Sequence, residues 1–206
     1  EEWLERDKVL SGRQKDAIRQ YVRMHTDKPE ELYQIYHAMI RGENYKAETL
    51  EVLMEEGQPV IKIAGNEIRA AFEQLKDFVQ KLILLTERTL PLGSVVEVDI
   101  RELKLETEKP VSSIKAVIVD RFMKKETEKQ YVPYCGIIYP FGDSKKQLFF
   151  TEQAIHTVIH YGYTDRQEDA YVALIKREII KKGYSSYSFA EAEDDKIRML
   201  QSDINL

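Results

Sequence analysis

The first part of the chain, before Pro91, carries a hydrophobic pattern that predicts helices. Apolar residues recur every three or four positions, which places them on one face of a helix. Asp27 and Pro29 suit the start of the second helix, and Gly42 suits its end. The three segments that this pattern predicts as helical are residues 1–25, 27–42 and 44–57.

The most regular pattern lies between Gln58 and Arg88. Apolar positions alternate steps of three and four, which is typical of a heptad seam on one long helix. The seam consists of Ile61, Ala64, Ile68, Ala71, Leu75, Phe78, Leu82 and Leu85. Either the first three helices fill the seam, or a helix of another protein fills part of it. The second interpretation predicts a partner-binding strip of Ile61, Ile68, Leu75, Phe78 and Leu82.

The pattern changes at Pro91, which cannot donate a backbone hydrogen bond and so ends a helix. Strand-like runs follow, rich in β-branched and aromatic residues, and the short polar loops between them favour antiparallel pairing. The predicted strands are residues 94–105, 113–123, 130–141 and 146–151. The pattern then predicts two helices, over 152–162 and 166–183, and an acidic tail over 191–206.

These elements predict an α+β protein. We expect an N-terminal helical bundle over residues 1–89, then a small antiparallel sheet or partly open barrel with C-terminal helices over 90–190, and the acidic tail. Arg121 is expected at a strand end, where it would stack on an aromatic ring or hold carbonyl groups. The residues with predicted structural roles are Pro91, Gly93, Arg121, Pro140 and Gly142.

The amino-acid composition argues against several classes of function. The net charge of −5 and the absence of a basic stripe argue against a nucleic-acid-binding protein. No apolar run approaches the roughly 20 residues that a membrane-spanning helix needs, so we expect no membrane insertion. The single cysteine excludes an internal disulfide, and no signal peptide is recognisable. We therefore expect a cytoplasmic protein.

Candidate catalytic and metal-binding residues are few. Glu152, His156 and His160 are spaced by four, which would place them on one face of a predicted helix. Two histidines can share a metal ion, but the further ligands of a zinc site are missing from the pattern. Cys135 lies in an apolar strand, where an inert thiol is expected. With no glycine-rich phosphate loop either, we expect no enzyme, no cofactor and no bound metal.

The chain contains twelve tyrosines, and most of them lie after Pro91. Tyrosine combines an apolar face with a polar tip and is enriched in protein interfaces. Tyr134 and Tyr139 are therefore candidate partner-binding residues. The alternative is that these tyrosines form the rim of a small core.

The second half resembles an uncharacterised domain family of Gram-positive bacteria whose genes lie beside type VII secretion clusters and their LXG toxins. Four pieces carry the resemblance in order: LPLGSVVEV, KAVIVDR, YVPYCGIIYPFG and LFFTEQAIHTVIHYGY. They span roughly Leu90 to Ala170. The loop after the first strand is longer and more charged than in the family pattern, and the helical first half lies outside that pattern.

The resemblance implies a non-enzymatic adaptor or targeting chaperone. Such a protein would bind the helical N-terminal region of an LXG toxin and present it to the secretion complex. An immunity protein that neutralises a toxin domain is the first alternative, because an acidic surface suits a basic target. A small-barrel module that binds a ligand or nucleic acid is the second.

Overall fold

The chain folds into two compact units, Glu1–Arg88 and Thr89–Leu206. The structure is a computed structural model that describes residues 2–7, 10–103, 112–125, 127, 129–143, 145 and 147–189. Both units combine helices with a mainly antiparallel sheet. The mixed fold class predicted from the sequence is therefore confirmed, whereas neither sheet closes into a barrel in the described residues. The predicted acidic tail, 191–206, lies outside those residues.

The first unit contains four helices and a four-stranded sheet. Its elements are α1 (Glu2–Arg6), α2 (Gly12–Met24), α3 (Glu30–Arg41), β1 (Tyr45–Lys46), β2 (Leu50–Glu55), β3 (Gln58–Ile63), β4 (Asn66–Ile68) and α4 (Phe72–Thr86). The strands follow one another across the sheet in the order β1-β2-β3-β4, and every pair is antiparallel. The prediction of a purely helical bundle is therefore wrong.

Two tight turns explain why residues 44–68 form strands. Glu56 and Gly57 both have positive φ, at 50° and 79°, and so do Ala64 and Gly65, at 46° and 75°. Two consecutive residues with positive φ make the turn whose twist suits a β-hairpin. Its position predicted that Gly57 ends a helix. In the structure it lies in the turn that reverses the chain between β2 and β3.

The predicted heptad seam is a helix only in its second half. Ile61 and Ile68 lie on β3 and β4, where they are direct cross-strand partners. They are seven residues apart because they pair across the turn at Ala64 and Gly65. A heptad repeat on a helix has the same spacing of seven residues, so the sequence pattern fits both structures. The helix itself begins at Phe72 and has 15 residues, so it is about 22 Å long at 1.5 Å per residue.

The core of the first unit lies between its helices and its sheet. Helices α2, α3 and α4 contact one another or the strands β2, β3 and β4. All three helices and the two central strands contribute fully buried side chains. These include Ile18, Leu32, Ile35, Met39, Leu50, Ile61, Ile63, Leu75, Leu82 and Ile83. The unit's own core therefore uses the apolar positions of the predicted seam.

The second unit is built on a six-stranded sheet. Its elements are β5 (Val95–Asp99), α5 (Ile100–Leu103), β6 (Ser113–Lys125), β7 (Gln130–Ile138), β8 (Gln147–Phe150), a 3-10 turn (Glu152–Ala154), β9 (Ile155–His160), α6 (Arg166–Lys182), β10 (Ser185–Ser186) and a second 3-10 turn (Tyr187–Phe189). The strand order is β10-β7-β6-β5-β9, with β8 also paired to β7. Only the short β10–β7 pair is parallel among the described strands.

One face of this sheet carries the core of the second unit. Tyr134 and Phe150 stack in it, with ring centroids 5.7 Å apart. The other buried members are Leu90, Val96, Val98, Ala116, Ile118, Ile138, Leu148 and Ala154. Leu90, which directly precedes Pro91, therefore belongs to this core.

The predicted helix over 152–162 is wrong, because most of this segment is the edge strand β9. Ile155 and Val158 pair with Val98 and Val96 of β5 and pack against the core. The register shifts twice along this pair of strands. A bulge adds a residue to one strand and brings side chains three apart onto the same face. That spacing resembles a helical pattern, so the sequence alone predicted a helix.

No helix in the described part of the chain is both long and apolar enough to cross a membrane.

Leu75 provides a test of the first unit's core. Leu75→Ala should lower the free energy of unfolding by about 2–5 kcal/mol, because Leu75 is fully buried and the substitution leaves a cavity. Chemical denaturation measures the change. Ile40→Ala is the control, since Ile40 is exposed and should change stability by no more than about 0.5 kcal/mol. Equal effects of the two substitutions would contradict this core assignment.

Candidate functional site

The segment that enters the second unit is fixed by side chains from the sheet. The backbone N–H of Leu90 donates to the hydroxyl of Tyr134 at 3.0 Å, and the carbonyl of Leu90 accepts from Arg121 at 3.2 Å. Gly93 and Ser94 continue the attachment through backbone hydrogen bonds with Ile118. Both backbone polar groups of Leu90 are thus satisfied inside the core.

Arg121 lies within β6, not at a strand end, and its side chain is only 3% exposed. Its guanidinium forms a two-pronged ion pair with Glu168 in the first turn of α6. The ring of Tyr171 lies 6.0 Å from the guanidinium carbon. A buried charge needs such partners, because an unpaired guanidinium would lose its hydration without compensation. Arg121 therefore joins Leu90, β6 and α6.

The loop between β9 and α6 packs tightly on the turn after Pro91. A side chain at Gly162 would overlap the carbonyl group of Leu92, so only glycine fits there. The N–H of Gly162 donates to the hydroxyl of Ser94 at 3.0 Å. Gly162 therefore holds the backbone of the loop against the turn, and the next residue, Tyr163, is 81% exposed.

Helix α6 presents an unusual apolar surface. Residues 170–175, AYVALI, are all apolar, yet the helix is fully buried only at Ile179 and Ile180. Tyr171 is 52% exposed and Leu174 is 61% exposed. The exposed residues Ala170 and Ala173 lie on the same side, because positions three and four apart are neighbours on a helix. We name the four residues Ala170, Tyr171, Ala173 and Leu174 the α6 stripe.

Charged residues flank the α6 stripe. Asp165 caps the helix by accepting from the backbone N–H groups of Gln167 and Glu168, both at 2.9 Å. Asp169 is exposed next to the stripe at its N-terminal end, and Arg177 is exposed one turn beyond Leu174. The stripe therefore has a carboxylate near one end and a guanidinium near the other.

The predicted partner-binding strip of the first unit is not a surface. The side chains of Ile61, Ile68, Leu75, Phe78 and Leu82 are all buried in their own unit. Tyr134, also predicted to bind a partner, is 1% exposed and holds Leu90. These six residues are therefore inaccessible to a partner in this structure. Their burial agrees with the alternative interpretation, in which the chain's own elements fill the seam.

Tyr139, the remaining predicted partner-binding residue, lies just after β7 and is 55% exposed. It precedes Pro140 through a cis peptide bond. Phe141 follows and is 82% exposed, and Gly142 then donates its N–H to the carbonyl of Ile138 at 3.0 Å. The segment that follows β7 thus exposes two aromatic rings.

The predicted arrangement of Glu152, His156 and His160 on one helical face is absent. Glu152 lies in the 3-10 turn and accepts from Ser188, whereas both histidines are exposed on β9. The described residues contain no group of three or more His, Cys, Asp or Glu side chains that could hold a metal ion.

Cys135 lies on β7 with 1% of its surface exposed. Burial, together with the nearby carboxylate of Asp120, raises the pKa of its thiol to about 11. The thiol therefore stays protonated at neutral pH, which disfavours nucleophilic chemistry.

The α6 stripe was not predicted from the sequence, although the helix was. The run of six apolar residues was the available signal. A helix that is apolar on all sides must bury more than one face. The rest of the unit covers only one face of α6, so Tyr171 and Leu174 stay exposed.

The comparison with known families gives one match, over residues 89–171, to a family described as Domain of unknown function (DUF4176). The match covers 83 of the 206 residues and nearly coincides with the segment that carries the resemblance described above. Its description assigns no activity. No curated protein and no solved structure matches the chain.

Arg121→Ala should lower the free energy of unfolding by about 1.5–3 kcal/mol, the range for hydrogen bonds to charged groups. The reason is the loss of the bonds to Leu90 and Glu168. Thermal and chemical denaturation measure the change. The control is Arg101→Ala, which removes an exposed ion pair with Asp99 and should cost no more than about 1 kcal/mol. Similar losses for both variants would show that Arg121 has no special structural role.

Cys135 should resist thiol reagents at pH 8, since burial excludes the reagent and the raised pKa keeps the thiol protonated. Labelling followed by absorbance should be slow in buffer and complete in denaturant. Because the thiolate fraction grows as pH approaches the pKa, the rate should rise toward pH 11. Rapid labelling of the folded protein at pH 8 would disprove this assignment.

Proposed function

We propose that the chain is a non-enzymatic adaptor or targeting chaperone that binds a helical segment of a partner protein. The resemblance of residues 90–170 implies that this partner is the helical N-terminal region of an LXG-type toxin exported by a type VII secretion complex. The proposal puts this interaction in the cytoplasm, before export. The α6 stripe is the observation that supports a helical partner.

The composition of the α6 stripe suits a second helix. Tyr171 and Leu174 are large side chains one turn apart, and Ala170 and Ala173 are small. Helices pack by inserting large side chains of one into the spaces between side chains of the other. The alanines leave such spaces beside the tyrosine and the leucine. An amphipathic helix is therefore the partner that this surface fits best.

The charges beside the stripe indicate how the partner helix would be oriented. Asp169 would attract a lysine or arginine. We therefore expect a partner helix with a basic residue beside one end of its apolar face. Pairing of this kind fixes orientation and adds less to affinity than the apolar contact does.

The stripe is held in place before a partner arrives. The ion pair between Glu168 and Arg121 fixes the start of α6, and burial of Ile179 and Ile180 fixes its end. The exposed middle of the helix therefore needs little ordering when it binds, which reduces the entropic cost of association.

Immunity to a toxin is the second candidate function, and the net charge of −5 is the observation that favours it. An acidic protein is attracted to a basic catalytic domain such as a nuclease. The two candidates differ in the part of the toxin that binds. The adaptor binds the helical N-terminal region, and the immunity protein binds the C-terminal toxic domain.

The double variant Tyr171→Glu/Leu174→Glu should stay folded, because both side chains are exposed, glutamate is a good helix former, and loss of the Tyr171 ring leaves the ion pair of Arg121 with Glu168 in place. Its affinity for the toxin's N-terminal region should fall by about 30-fold or more, the loss expected for one interface hot spot. Calorimetric titration of the purified proteins measures the affinity. Circular dichroism checks the fold.

The matched control is Met24→Glu/Ile40→Glu, which places the same charges at two exposed apolar positions of the first unit. It should bind like the unchanged protein. Binding of the C-terminal domain alone would favour immunity, and binding of neither region would contradict both candidates. Tight binding of the N-terminal region by the α6 double variant would retain the adaptor and reject the stripe as its surface.

A further inference from the structure

The first unit contains a pocket of about 230 Å³ between α1, the end of β4 and α4. Apolar side chains form most of its wall, and they come from Trp3, Leu10, Ile68, Leu75 and Phe78. Pockets for drug-sized ligands have roughly 300–1,000 Å³. This pocket therefore suits a smaller molecule.

Trp3 supplies an unused hydrogen-bond donor at this pocket. Its indole nitrogen Nε1 is buried and has no hydrogen-bond partner within the described part of the chain. A buried indole N–H normally has an acceptor. The ring itself is held by Phe78, at a centroid distance of 5.9 Å, and by the ammonium of Lys81, 5.6 Å from its centroid. The indole N–H donor therefore has a fixed position in the wall of the pocket.

The charged groups at the pocket are already engaged with one another or with neighbouring residues. Lys81 pairs with Asp77. Arg69 pairs with Glu55 at 2.7 Å and with Glu67 at 3.0 Å. A charged ligand would have to compete with these pairs and lose its own hydration. The wall therefore favours a neutral molecule.

From these features we propose that the first unit binds a small neutral ligand with an apolar body and one hydrogen-bond acceptor, such as a carbonyl oxygen. The apolar body fills the space between Trp3, Leu75 and Phe78, and the acceptor takes the hydrogen bond of the Trp3 indole. This ligand site is independent of the α6 stripe and of the proposed adaptor role.

Trp3 is the only tryptophan in the chain, so a ¹H–¹⁵N correlation spectrum of the full protein contains one indole signal. The probes are cyclohexanone, methylenecyclohexane and cyclohexanecarboxylate, which share a ring and differ in acceptor and charge. Cyclohexanone should move the indole proton downfield in a saturable way. Methylenecyclohexane has no acceptor, so it should not cause this downfield shift even if it enters the pocket.

Three results of this titration would overturn the proposal. They are the absence of a saturable shift with cyclohexanone, an equal downfield shift with methylenecyclohexane, and tighter binding of the carboxylate. Because all three are measured on the unchanged protein, they do not depend on whether a variant folds.

A pair of neighbouring alanines adds a test of location. Ala70 lines the pocket, so Ala70→Leu should fill it and weaken cyclohexanone binding about tenfold or more. Ala71 is exposed and is not among the lining residues, so Ala71→Leu should bind as before. Ligand-observed NMR measures both variants. Unchanged binding by folded Ala70→Leu would place the ligand elsewhere and reject the proposed site.

Discussion

The buried guanidinium of Arg121 is the interaction on which the arrangement of the second unit depends. It binds the carbonyl of Leu90, where the chain enters the unit, and the carboxylate of Glu168, where α6 begins. These residues are 31 and 47 positions away from Arg121 along the chain. A charge buried at this depth is tolerated only if its partners are held in place. The requirement therefore fixes Leu90 and α6 relative to β6.

This constraint has a consequence for the surface of the unit. Glu168 turns the start of α6 toward Arg121, and Ile179 and Ile180 are buried near its end. Between these attachments the helix presents Tyr171 and Leu174 to solvent. An apolar face on a helix fixed at both ends is pre-organised for a partner. Stability and the proposed recognition thus depend on the same helix, and Tyr171 takes part in both because its ring also lies beside Arg121.

The first unit uses its apolar residues in another way. The side chains that were predicted to form a partner-binding strip fill the space between its helices and its sheet. What remains accessible is the pocket beside Trp3, whose charged groups are paired and whose indole donor has no acceptor among the described residues. A stripe on a helix suits a protein segment, and a small pocket suits a small molecule. The two proposals therefore assign different classes of ligand to the two units.

The sequence by itself determined several features of the protein. Helices α2, α3 and α6, the strand character of β6, β7 and β8 and the change of pattern at Pro91 all follow from local signals: apolar period, caps and turn residues. These signals act within one or two turns of chain, so they can be read without the fold. The buried, inert setting of Cys135 also followed from its apolar neighbours.

Tertiary structure alone decided the features that depend on pairing between distant segments. The spacing of Ile61 and Ile68 fits a heptad and a hairpin equally well, and cross-strand pairing selected the hairpin. Bulges gave β9 a helix-like apolar pattern that only its contact with β5 reveals as a strand. Likewise, the apolar run of α6 does not show which of its faces will be covered. Tyr171 and Leu174 are exposed because Arg121 and the sheet hold the helix in one orientation. Which side chains are buried depends on the whole packed unit.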